Sequence, residues 1–223
     1  MNTKKALIAT VSVVSVATIS HSCVALATSA VGISILKRVL LGGITKGVGI
    51  FKNKNAFLQS DLIDKALPKE LRAINTLLEG IAPGLVAKEK EYIAEAAAYT
   101  VNISEPILVN AVNSLTSQDV ERIASGQRGM ATQILKEKTS QQLIQAIMPK
   151  VDQKLNEFDI VRPINNALKA NNLLGSILGN SSSQADGSML SKLASEQLVN
   201  GLFNIIEDYE EQNASEIYKA FGK

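Results

Sequence analysis

The stretch PKELRAINTLLEGI, residues 68–81, decides the fold class. Its apolar side chains Leu71, Ile74, Leu78 and Ile81 recur every three or four positions, the spacing that puts side chains on one face of an α-helix. Pro68 suits a first helical position, where the backbone N–H that proline lacks would have had no partner. Gly80, Pro83 and Gly84 mark the end of this helix.

The same period continues outward in both directions. Ile93, Ala96, Ala97 and Val101 share a face of the run 87–101, Pro106 predicts a break, and Ile107, Leu108, Ala111, Val112 and Leu115 form the next stripe. Thr116-Ser117-Gln118-Asp119 has the pattern of a helix start, a hydroxyl that accepts backbone N–H bonds and a carboxylate that complements the positive helix end. Val120 and Ile123 turn inward and Gly126 stops that helix. A run from Met130 to Lys138 precedes Thr139, which is read as the cap of a long helix carrying Leu143, Ile144, Ile147, Met148, Val151 and Leu155. Pro149 is expected to kink it, since proline removes a backbone donor.

Val161, Ile164 and Leu168, then Leu173, Leu174, Ile177 and Leu178, predict shorter helices, and GNSSSQADGS, residues 179–188, a flexible loop. The last long helix is expected from about Met189 to Tyr209. No stretch alternates with period two, so an extended piece is expected only near Leu62 and Ile63. The class is therefore all-α: an irregular multi-helix domain of about seven to nine helices behind an N-terminal signal segment.

Composition agrees. The 223 residues suit one domain, and the 46% hydrophobic share includes only 4% aromatics and no tryptophan, so the core is built from Leu, Ile, Val and Ala. Apart from Lys4 and Lys5 the chain carries 21 basic and 21 acidic residues. A neutral, aromatic-poor body lacks the basic footprint and stacking platforms of nucleic-acid binding, and no nucleic-acid partner is expected. The charge is unevenly spread: residues 28–91 hold ten Lys or Arg against six acids, and residues 183–223 hold three against seven.

Lys4 and Lys5 followed by an uncharged apolar run to Ile19 have the layout of a secretory signal. Ala25-Leu26-Ala27 is an A-x-A cleavage site, which divides the chain into residues 1–27 and a single helical domain over 28–223. Cys23, the only cysteine, is a second candidate end, as the lipidated residue of a lipoprotein. An uncleaved anchor over residues 6–36 is the third reading, because that run is long enough to span a bilayer. All three imply export to a bacterial envelope, periplasmic or membrane-tethered.

Between Ile33 and Lys54 the chain is apolar with five basic residues and no acid. Lys37, Arg38 and Lys46 are the candidate contacts with an anionic membrane surface; the alternative is a core helix with a solvated edge. Gly43-x-x-x-Gly47 has helix-packing spacing, but with Lys46 inside it the spacing reads as accidental.

Chemistry is scarce. His21, the only histidine, and Cys23 both lie in the signal segment, so the mature region has no Ser-His-Asp, Cys-His or Cys/His zinc arrangement. Glu207, Asp208, Glu210 and Glu211 read as a solvated acidic face, Lys138 beside Thr139 as a cap with a solvated neighbour, and Asp186-Gly187 as a turn. No Walker-type loop is present. No catalytic, cofactor-binding or metal-ligating set is expected, and no cofactor.

A series of short matches carries a family resemblance: Phe57-Leu58 with Leu67-Pro68; Leu115-Thr116 with Asp119, Ile123 and Gly126; Ala131-Thr132; Lys138-Thr139 with Leu143; Pro149; Gly201-Leu202-Phe203 with Glu207; and Phe221-Gly222. From about residue 41 to 223 the chain resembles the bacterial family catalogued as domain of unknown function (DUF) 4197, whose members begin with an export signal. The resemblance implies an α-helical envelope domain and brings no activity, substrate or catalytic residue. After Tyr209 the chain departs from the pattern, where relatives carry a longer basic and polar stretch.

The expected function is a non-enzymatic binding or structural domain of the envelope, with an envelope protein or an apolar ligand as partner. The alternatives are a lipid or apolar-ligand binding protein at the membrane surface, enclosing a cavity between its helices, and an envelope hydrolase built from carboxylates.

Overall fold

The computed structural model describes residues 25–159, 162–164, 166 and 187–222. Residues 1–24 of the signal-like segment, with His21 and Cys23, and the stripes through Leu168 and Leu173 to Leu178, lie outside the described residues, as does all but the end of the 179–188 loop.

The fold is all-α, and no strand occurs among the described residues. Four long helices form a ring: α1 (Ala30–Lys52), α5 (Pro83–Asn113), α7 (Met130–Glu157) and α8 (Gly187–Gln212). α5 packs on α1 and α7, and α8 closes the ring by packing on the same two helices. Short helices fill the ends. α2 (Lys54–Leu58), α3 (Asp61–Asp64) and α4 (Lys69–Ile81) run between α1 and α5, α6 (Ser117–Ser125) leads into α7, and α9 (Ala214–Ala220) returns onto α1. The core is aliphatic, as composition requires, with Phe51, Phe203 and Phe221 as its largest fully buried side chains.

Local chemistry explains the boundaries. Ser29 caps α1 by accepting from Gly32 N at 3.1 Å. The helix start at Thr116 is a full capping box, with reciprocal bonds between Thr116 and Asp119. Gly129 stands before α7 at φ 80°, a left-handed conformation that glycine enters without steric cost.

Several sequence expectations are corrected. Pro68 is the cap residue of α4 rather than its first helical residue. α5 runs unbroken through Pro106, where a break was expected, and α7 continues through Pro149, as the stripe on both sides of that proline predicts. In both cases the proline and the residue four before it, Asn102 or Gln145, are exposed; the carbonyl that loses its N–H partner then faces water, which limits the cost. Thr139 is not a cap. It lies inside α7 and donates to Leu135 O at 2.7 Å, a common way for a mid-helix threonine to satisfy its hydroxyl. The extended piece at Leu62 and Ile63 is helix α3.

The Gly43 and Gly47 spacing is not accidental. A Cβ on Gly43 would lie 3.2 Å from the Ile206 backbone, and one on Gly47 would lie 2.5 Å from Leu202 Cδ1. The two glycines let α1 and α8 approach more closely than larger residues would permit.

Candidate functional site

The buried polar residues are where this aliphatic core departs from expectation, and three of them meet at one place. Asn75 lies in the α4 stripe between Ile74 and Leu78, Glu89 in the α5 stripe between Val86 and Ile93, and Gln197 in the α8 stripe between Ala194 and Leu198. Each occupies a position that helical spacing turns inward. Because α4 touches both α5 and α8, the three inward positions converge on a single cleft.

That cleft holds about 20 Å³ and is walled by Phe57, Leu58, Ile63, Leu67 and Ile93, with the exposed Asp64 and Lys90 also lining it. Asn75, Glu89 and Gln197 are 6%, 4% and 5% exposed. Asn75 Oδ1, Glu89 Oε2 and Gln197 Oε1 have no hydrogen-bond partner. An unsatisfied buried polar atom costs about 1–3 kcal/mol, so three in one cleft would be a heavy and concentrated burden. On the far side Glu89 borders a second, apolar cleft of about 10 Å³ lined by Leu71, Leu155 and Leu190.

Burial pushes the Glu89 carboxyl up to about 7, against the opposing effects of the neighbouring Asn75 side chain and of the Lys90 charge. Glu89 therefore changes charge close to neutral pH. Desolvation dominates because the walls are apolar and no cation is paired with the carboxylate inside.

Other buried acids are fully employed. Glu210, expected on a solvated face, is buried and caps α7 from a neighbouring helix. Its carboxylate accepts from Ala131 N at 3.1 Å, Thr132 N at 2.7 Å and Thr132 Oγ1 at 2.6 Å. Burial raises its carboxyl above the ordinary value, with the three hydrogen bonds pulling the other way. Burial alone would raise Asp119 too, but bonds from Lys138 and Thr116 outweigh it and hold that carboxyl below the ordinary range. Lys138, read as solvated, lies 2.9 Å from Asp119, so it locks α6 onto α7. Glu207 and Glu211 are exposed, and Asp208 pairs with Lys46.

Three basic residues of α1 also have partners within the chain. Lys37 Nζ donates to Asn113 O at 3.0 Å, Arg38 lies 2.6 Å from Glu216, and Lys46 lies 2.9 Å from Asp208. The basic N-terminal part and the acidic C-terminal part thus fold against each other along α1. Arg38 remains well exposed, its side chain at 67%. With Lys37 it edges an open apolar shelf formed by Ala30, Ile33 and Leu41, close to the exposed Leu26 and Val31.

Among the described residues no group of three or more His, Cys, Asp or Glu could hold a metal ion, and no helix is long and apolar enough to cross a membrane. Sequence reasoning passed over Asn75, Glu89 and Gln197. The signal was present in each stripe as a polar residue at an apolar position, but their convergence is a tertiary fact.

Searches of curated proteins and of solved structures found no match. A family profile described as protein of unknown function (DUF4197) matches residues 27–217. With most of its length under that match, from before α1 into α9, the chain belongs to the DUF4197 family.

Proposed function

We propose that the protein is a non-enzymatic binding domain of the bacterial cell envelope, and that its ligand site is the cleft of Asn75, Glu89 and Gln197. One observation carries the reading: three buried side-chain oxygens, on residues from three helices that line one cleft, have no hydrogen-bond partner. Folded proteins rarely leave such groups unpaired, so the arrangement favours an occupant that supplies what the chain does not. The cleft volume of about 20 Å³ admits one water-sized group. That size favours binding over a carboxylate hydrolase, which needs room for a substrate between its two acids, and over a lipid-sized cavity. The envelope location is supported by the signal-like residues 1–27 and by the export signals of the family it resembles.

Native mass spectrometry of the protein extracted from its own envelope tests this. Wild-type protein should carry excess mass over its processed sequence, and Gln197→Leu, which removes one of the three oxygens, should not. Equal excess in both, or none in either, would overturn the assignment of the site.

The apolar shelf beside Lys37 and Arg38 favours a second reading, in which this face of α1 rests on an anionic membrane. Each basic residue at such a surface contributes about 1 kcal/mol, and salt weakens it. Co-sedimentation with anionic vesicles at low salt, lost in the triple Gln variant of Lys37, Arg38 and Lys46, would support it; no sedimentation at any lipid charge would refute it.

A further inference from the structure

The composition of the cleft narrows the class of its occupant. One carboxylate and two amide side chains line it, and each has an oxygen with no hydrogen-bond partner. The Asn75 and Gln197 oxygens are neutral amide carbonyls and the Glu89 oxygen belongs to a carboxylate. Neutral and anionic oxygens with no thiolate or imidazole among them suit hard cations.

Charge then separates monovalent from divalent ions. Glu89 supplies a single negative charge, and the two other charged residues of the lining, Asp64 on α3 and Lys90 on α5, oppose each other. α2, α4 and α8 contribute only uncharged residues to the lining. A monovalent cation makes the buried group neutral, whereas a divalent ion leaves an uncompensated positive charge, which low-dielectric surroundings penalise strongly. Size agrees, since the space is that of one water-sized body.

We infer that the cleft formed by Asn75 Oδ1, Glu89 Oε2 and Gln197 Oε1 is a binding site for a single small monovalent cation, an alkali-metal or ammonium ion. The inference rests on the reading of this cleft as a ligand site. Cation and proton compete for Glu89: the ion binds the carboxylate, and occupancy falls as the pH drops below the point where Glu89 takes up its proton. Because the ligands come from α4, α5 and α8, an occupied site ties the short helix to two members of the ring and stabilises the folded state by mass action.

The test is thermal melting of the purified protein, followed by far-UV circular dichroism, in sodium, potassium, ammonium and choline chloride at equal ionic strength. Choline is monovalent but too large for the cleft. At about pH 8, where Glu89 is ionised, at least one small cation present at about a hundredfold excess over its Kd should raise the midpoint by about 5–10 °C over choline. At about pH 5.5, where proton competition weakens binding about 30-fold, the difference should shrink to about a third. Glu89→Gln and Gln197→Met should each remove the cation dependence at the higher pH, and both preserve side-chain volume closely enough to fold. Identical midpoints in all four salts would overturn the inference. If the excess mass in native spectra persisted in that case, the cleft would bind another ligand and only the cation would be lost; without the excess mass both readings fail.

Discussion

Replacing Glu89 with Gln should flatten the pH dependence of stability between about pH 4.5 and 7. The wild-type carboxyl rises from its ordinary 4.5 to about 7 on folding because burial penalises its charge. Below the lower value it is protonated in both folded and unfolded chains. Between the two values the folded chain keeps the proton while the unfolded chain releases it, so stability falls as pH rises, and above about 7 the loss is complete. At 1.36 kcal/mol per pH unit the interval corresponds to about 3 kcal/mol, or about 6–12 °C in melting midpoint for a domain of this size. Glutamine has the same shape as the protonated acid and never ionises, so the variant should match wild type near pH 4.5 and exceed it by about 3 kcal/mol near pH 8. Urea unfolding in choline chloride across that range measures the difference directly, and subtraction removes the contributions of Glu210, Asp119 and the other carboxyls common to both proteins. Parallel profiles would refute the reasoning, because they would mean that Glu89 is solvated or paired in the folded chain.

Four further outcomes follow from the packing. Gly43→Leu should destabilise by about 1–3 kcal/mol through overpacking against Ile206, whereas Gly49→Ala, which meets nothing within 4 Å, should stabilise by about 1 kcal/mol through helix propensity; urea midpoints report both. Glu210→Ala should cost about 2–3 kcal/mol, since it strips the N-terminus of α7 of its charged acceptor, with hydrogen exchange at Ala131 and Thr132 accelerating first. Asp119→Ala should cost about 0.5–2 kcal/mol by opening the capping box of α6, and an unchanged denaturation midpoint would contradict the role given to it.

The stripes through Leu71, Ile74 and Leu78, and through Leu143, Ile147, Val151 and Leu155, placed the helices correctly because burial on one face imposes their period. The Thr116 cap was equally legible, since its chemistry is local. Proline was misleading at position 106, because its cost depends on whether the freed carbonyl faces water, and sequence spacing does not report that. Thr139 failed for a related reason: its hydroxyl serves a helix interior as well as a start. The positive charge of α1 and the negative charge of the C-terminal part were visible, but their pairing at Lys46 and Asp208 needed the fold. The cleft was the least accessible feature. Asn75, Glu89 and Gln197 lie on three helices that nothing in the local sequence brings together, and a search for apolar periodicity steps over polar residues by construction.

The central claim, that this cleft holds a small cation, is tested most directly by anomalous diffraction from crystals of the protein grown near pH 8 and soaked in rubidium chloride. The account predicts an anomalous peak in contact with Asn75 Oδ1, Glu89 Oε2 and Gln197 Oε1. A cleft without such a peak, in which the three oxygens are satisfied by one another's side chains through a protonated Glu89, would contradict it.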